Sequence, residues 1–493
     1  MALPTYNTPV FNLQLVDDHC DAQQPPQQER SHSTDNLHPE SQRGRRSQLQ
    51  DSHFEQNATQ QDHDRTPRTS IEYPYHEKTE SVRSFNSTTA LNQTDHRSES
   101  RSRFSSDEEE QGRPTRGDID PYSPSRPKLP LRPRLRHFTW AWYTLTMSTG
   151  GLSLLLFAQP HRFPGLVYIG LVFYVTNLLL FAGVTTAMLT RFFLFPGSFR
   201  ASLTHPREGF FFPTFFLSIA TIITSTQRYA ISPTDTGPLW LIQMAFWVYV
   251  ALTTLVAVGQ YSYVFAAHSY GLQTMMPTWI LPIFPIMLSG TIASVIASTQ
   301  PADWAVSIVT AGLTCQGLGV CVAVMMYAHM VGRLMQSGLP DREHRPGLFM
   351  CVGPPAFTAL AFIGMAQSLP ANFDHDMDCL LDAGLIKTMA VVGAGFLWAL
   401  SFWWFGIALL AVLQSPPKYF HLGWYAMVFP NTGFTLATIS LGNAFKNQPV
   451  LWFATGMSIL LVLTYAFVLY YHVRAILVQD IMYPGRDEDV EDH

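Results

Sequence analysis

From Phe138 almost to its C-terminus the chain repeats one pattern, a long apolar run followed by a short polar break. A helix rising ~1.5 Å per residue needs about 20 apolar residues to cross ~30 Å of hydrocarbon. Ten runs reach that length, at roughly 138–157, 165–194, 209–227, 239–265, 278–298, 304–331, 348–369, 383–413, 422–442 and 450–478. The pattern therefore predicts an all-α membrane protein of ten transmembrane helices, with both termini on the same side.

Residues 1 to about 130 break this pattern. They are rich in Gln, Ser, Arg, Asp and Pro, without periodic apolar spacing, and read as a disordered tail. Three parts are expected: the tail over 1–130, a ten-helix membrane domain over 131–480, and a short acidic tail over 481–493. The N-terminal twenty residues hold no short apolar core behind a basic start, so the first span is expected to act as its own signal. Within the long tail, Arg45-Arg46-Ser47 and Ser105-Ser106-Asp107-Glu108-Glu109-Glu110 are strings that kinases read. Phosphorylation there is an expectation.

Charge fixes the orientation. Positive residues resist translocation, and the tail's side carries Lys128, Arg132, Arg134, Arg136, Arg191, Arg200, Arg207, Arg333, Arg342, Arg345, Lys418, Arg474 and Arg486. The opposite side has only Arg162, Arg228 and Lys446, with Asp374, Asp376, Asp378 and Asp382 in one loop. Both termini are expected to be cytoplasmic. The tail's sequons at Asn57, Asn86 and Asn92 should then stay unglycosylated.

Helix breakers fall on alternate spans: Thr149-Gly150-Gly151 on the first, Pro213 on the third, Pro282 and Pro285 on the fifth, Gly353-Pro354-Pro355 on the seventh, Pro430 and Gly433 on the ninth. The even spans contain no proline. A broken helix bares carbonyls that lipid cannot satisfy, so it belongs against protein or a watery cavity. Five hairpins with odd helices inside and even helices outside follow, around a central pore. Ser148, Thr149, Thr214, Ser218, Ser289, Thr291, Thr358, Asn431 and Thr432 are the polar candidates to line it, with Gly150 and the prolines beside them.

Ionisable residues deep in a span cost ~2.5–3.5 kcal/mol and mark function, yet few occur here. Lys387 lies one turn into the eighth span and Arg228 ends the third; both read as boundary charges at the mouths. No odd span holds a mid-membrane Asp or Glu, which favours a passive conductor over a proton relay. No nucleophile, metal cluster or phosphate-binding loop has convincing spacing. Neither an enzyme, a cofactor, a bound metal nor a nucleic-acid partner is expected. The five cysteines stand apart, without disulfide or metal pairing.

Long strings in the body carry a resemblance: HFTWAWYTLTMSTGG at 137–151, SPTDTGPLW at 232–240, PTWILPIFPIMLSG at 277–290, STQPA at 298–302, QGLG at 316–319, RPGLFMCVGPPAF at 345–357, GWYAMVFPNTGF at 423–434 and YPGRDED at 483–489. The region from Arg136 to Asp489 resembles the malic acid transport proteins of fungi. These belong to the tellurite-resistance/dicarboxylate transporter family, with plant slow anion channels and sulfite efflux pumps as relatives. The resemblance implies five hairpins around a pore, a small organic anion of the malate class as substrate, and the plasma membrane as location. It also implies a homotrimer, and a pore-blocking phenylalanine on the ninth helix. That role falls on Phe429, with Phe434 as the alternative. Sulfite or another small anion is the competing substrate, and a receptor or scaffold is the reading outside transport.

Overall fold

The computed structural model describes residues 127–231, 239–370, 373 and 382–488. The N-terminal tail, most of the acidic loop 370–382 and the string at 232–238 lie outside these residues, as do Cys20 and Cys379. Among the described residues the regular structure is helical. Ten helices are long enough to matter for a membrane: α1 (Tyr143–Phe157), α2 (Leu166–Leu194), α3 (Pro213–Tyr229), α4 (Leu239–Ala267), α5 (Phe284–Ile296), α6 (Ala302–Ser337), α7 (Gly353–Gln367), α8 (Ala383–Gln414), α9 (Phe429–Ala444) and α10 (Gln448–Val478).

Two lengths alternate. The odd helices have 13 to 17 residues and the even ones 29 to 36. At ~1.5 Å per residue the odd helices span only about 20–25 Å, short of the hydrocarbon thickness. Each is preceded by a 3-10 segment that continues its path: Trp140–Trp142, Glu208–Phe211, Pro277–Ile283, Arg342–Val352 and Leu422–Met427. Eight helical stretches among the described residues are long and apolar enough to cross a membrane; α1 and α9 with their 3-10 leads are not among them.

The odd helices form a closed ring, α1 against α3, α3 against α5, α5 against α7, α7 against α9, and α9 back against α1. Their 3-10 leads close a second ring in the same order. Even helices pack outside. In the stretch Pro277–Thr299, which contains α5, 89% of the apolar window is buried, against 22% for α2. The outward faces of the even helices carry Val172, Leu179, Leu255, Phe396, Leu413 and Leu463, all well exposed, as lipid contact requires.

The breakers act differently from a kink. Pro213, Pro285, Pro354, Pro355 and Pro430 stand in the first turn of their α-helices, where a missing N–H is an orphan anyway. They mark the junction of 3-10 lead and helix; Pro282 lies inside a lead. Thr149-Gly150-Gly151 does not break α1, which is continuous through it. Its glycines serve close approach instead.

Charged residues concentrate at the 3-10 end. Arg191, at the end of α2, bonds Glu208 at 2.5 and 3.2 Å and the Phe138 carbonyl at 2.8 Å, all three groups buried. The chain after α10 returns to this end: Asp487 accepts from the Met482 and Tyr483 amides, and Arg486 donates to Asp480 at 2.7 Å. Glu488 accepts from the Thr139 hydroxyl at 2.9 Å, which ties this segment to the lead of α1.

Candidate functional site: the central cavity

All five odd helices meet at one internal cavity. Gly151 and Leu154 of α1, Ala220, Thr221 and Thr224 of α3, Leu288, Thr291 and Ile292 of α5, Phe357 of α7, and Phe429, Thr432 and Leu436 of α9 line it. None of these side chains is ionisable. About 20 Å³ is open to the centre of a water-sized sphere, room for a water molecule or so.

Phe357 and Phe429 line this cavity, and the Phe284 ring packs against both. Phe429 stacks on Phe357 with centroids 5.1 Å apart, and Phe284 stands edge-on to both, at 6.1 and 5.8 Å. Each ring sits against a glycine of the neighbouring helix. A Cβ on Gly151 would lie 3.3 Å from Phe429; one on Gly433 would lie 2.6 Å from the Phe357 ring; one on Gly353 would lie 2.6 Å from Phe284. Larger residues at Gly433 or Gly353 have no place without moving a ring. Phe429 is 1% exposed and occupies the first residue of α9. Phe434, the other sequence candidate, is equally buried but packs on Trp398 and Phe405 of α8, at 5.4 and 5.8 Å. It does not line the cavity.

Of the polar candidates read from sequence, Thr291 and Thr432 line the cavity. The hydroxyls of Thr221, Thr224 and Thr432 donate to carbonyls of their own helices. Thr291 Oγ1 has no partner and is free to serve an occupant. Several others hold helices together. Thr149 bonds Tyr465 of α10 at 2.8 Å, Thr358 accepts from Gln316 of α6 at 2.7 Å, and Ser218 pairs with Thr146 across α1 and α3 at 2.6 Å. Thr214 donates to the Trp140 carbonyl and Asn431 to that of Met427. Ser148 and Ser289 are fully buried; the Ser148 hydroxyl is unpartnered, and Ser289 faces the Cys315 thiol. Phe284 and Phe357 were not singled out from the sequence, although each lies within two residues of a helix-starting proline.

The mouths hold the charges. Beyond the C-terminal end of α1, Arg162 and Arg228 both face the Phe157 ring, at 5.3 and 5.6 Å. Lys387 is half-buried in the first turns of α8. At the 3-10 end His421 lies 3.7 Å from Glu343 and its ring stacks over His344 at 6.4 Å. Burial, with the repulsion of His344 and Arg486, pushes its pKa down to about 4 against the pull of Glu343 and Asp480.

Lipid-length outer helices around a closed inner ring, with an uncharged cavity inside that ring, define a multi-pass membrane protein. The chain belongs to the SLAC1 voltage-dependent anion channel family, whose pattern it matches over residues 137–473. It is 36% identical to the malic acid transport protein of Schizosaccharomyces pombe over 74% of this chain and 84% of that one. A putative malic acid transport protein of the same organism is 31% identical over 74% and 86%. The sulfite efflux pump SSU1 of Trichophyton rubrum is 25% identical over 64% and 84%. These relatives make the protein a transporter of anions rather than an enzyme.

Proposed function

We propose that the protein carries malate and related C4-dicarboxylates across the membrane through the centre of the inner ring, with Phe429 as its gate. The observation that carries this reading is the cavity itself: five helices contribute to it, no fixed charge lines it, and the stacked rings of Phe357 and Phe429 stand in its wall. A large apolar ring in a narrow passage dewets it, and rotation of that ring restores a wet path. An anion entering that path meets the Thr291 hydroxyl and the positive end of α9, which begins at Phe429. Without a ring of arginines the hold is weak, which lets the anion leave again. The Lys and Arg asymmetry supports cytoplasmic termini, and the plasma membrane is the proposed site.

Sulfite is the second reading, favoured by the similarity to sulfite efflux pumps and by the small cavity. Purified protein in liposomes separates the two. Labelled malate crossing faster than sulfite supports the first; sulfite crossing without malate replaces it.

A further inference from the structure

The five outer helices contain one asparagine, Asn177, near the middle of α2. It is fully buried, and neither its amide nitrogen nor its amide oxygen has a partner. A buried, unpaired amide costs about 1–3 kcal/mol, and amides at this depth ordinarily bond across helices. Three other polar side chains of this helix do so: Tyr174 bonds Thr226, Thr185 bonds Tyr143, and Arg191 bonds Glu208. A general shortage of partners therefore does not explain Asn177.

Gly150 does explain where the amide points. A Cβ at that position would collide with the Asn177 amide nitrogen, 2.6 Å away, and with the Thr221 side chain. The glycine leaves a notch in α1 where the Asn177 amide of an outer helix and the Thr221 side chain both come up against it, and Thr221 lines the central cavity.

We propose that Asn177 and the Gly150 notch form a side-wall site for an oxygen atom of the permeating anion, a carboxylate or sulfite-type oxyanion, or for the water that oxygen carries. The site rests on the transport reading and adds a recognition element to it: the amide supplies N–H donors in a passage whose threonines donate mostly to their own helices. An amide is suited to this, because it stabilises negative charge without trapping it.

The test compares wild type, Asn177→Leu and Asn177→Asp in liposomes, with malate as the probe, or sulfite if wild type carries only that. Melting temperature and gel-filtration profile monitor folding. The leucine variant should fold as well as wild type, since it removes the orphan amide, yet raise KM roughly tenfold through loss of a bond to a charged group. The aspartate variant should carry at least tenfold less at pH 7 and recover as its carboxyl is protonated. Wild-type KM in the leucine variant overturns the proposal, whether or not the aspartate variant folds. If wild type carries neither anion, the transport reading falls, and this site falls with it.

Discussion

The inner and outer helices of this protein meet opposite demands with opposite sequences. Outer helices run for 29 to 36 residues, without proline beyond their first turn, and expose leucine, phenylalanine and tryptophan to lipid. Inner helices are half as long, four of the five begin at prolines, and they are buried nearly all round. Lipid constrains only length and hydropathy, so an outer face accepts many residues. The inner ring is fixed by contact, glycine against phenylalanine, and accepts few. The lesson is that the chain spends its precise packing on the axis and leaves its perimeter loose.

Breaking the staple between the two rings should have the largest effect on stability. Arg191 belongs to an outer helix and Glu208 to an inner lead, and both are buried. Arg191→Met leaves an unpaired carboxylate and should cost about 3–5 kcal/mol, seen as a large drop in melting temperature in detergent.

Next comes a direct comparison of glycines. Gly433→Leu in α9 drives atoms into the Phe357 ring, whereas nothing lies within 4 Å of a Cβ on Gly395 of α8. The first should destabilise by about 1–3 kcal/mol, and Gly395→Leu should stay within about 0.5 kcal/mol. Equal effects would erase the contrast between ring and perimeter.

A further test concerns pH at the 3-10 end. His421 is held neutral in the fold with its pKa lowered to about 4, so the unfolded chain binds more protons between that value and about 6.5. Its contribution to stability is complete above about pH 6.5 and is lost as pH falls toward 4. Melting curves of wild type should decline across that window, and His421→Gln should flatten the decline.

Much of this architecture is legible in the chain because lipid enforces it. Apolar length gives the outer helices directly, and alternating breakers give the odd helices their place inside. The reason for the breaks is less legible: Pro285 and Pro430 start helices after 3-10 leads, and Thr149-Gly150-Gly151 breaks nothing. The site was read least completely. An amphipathic helix announces its buried face, but a helix buried on every side has no such asymmetry. Nothing local told Thr291, on the cavity, from Thr149, bonded outward to Tyr465. Phe357 was hidden among 34 phenylalanines. Phe429 came from its resemblance to the family's helix-nine pattern. Asn177 carried a signal that went unused, as the one asparagine in five lipid-facing helices.

The central claim is that the axis of the inner ring is the anion path and that Phe429 closes it. The most direct measurement is malate flux through Phe429→Ala and Phe434→Ala in liposomes at fixed pH and voltage. Phe429→Ala should raise flux at least tenfold, while Phe434→Ala, whose ring packs on α8, leaves it within about twofold of wild type. Unchanged flux in a well-folded Phe429→Ala protein would contradict the account.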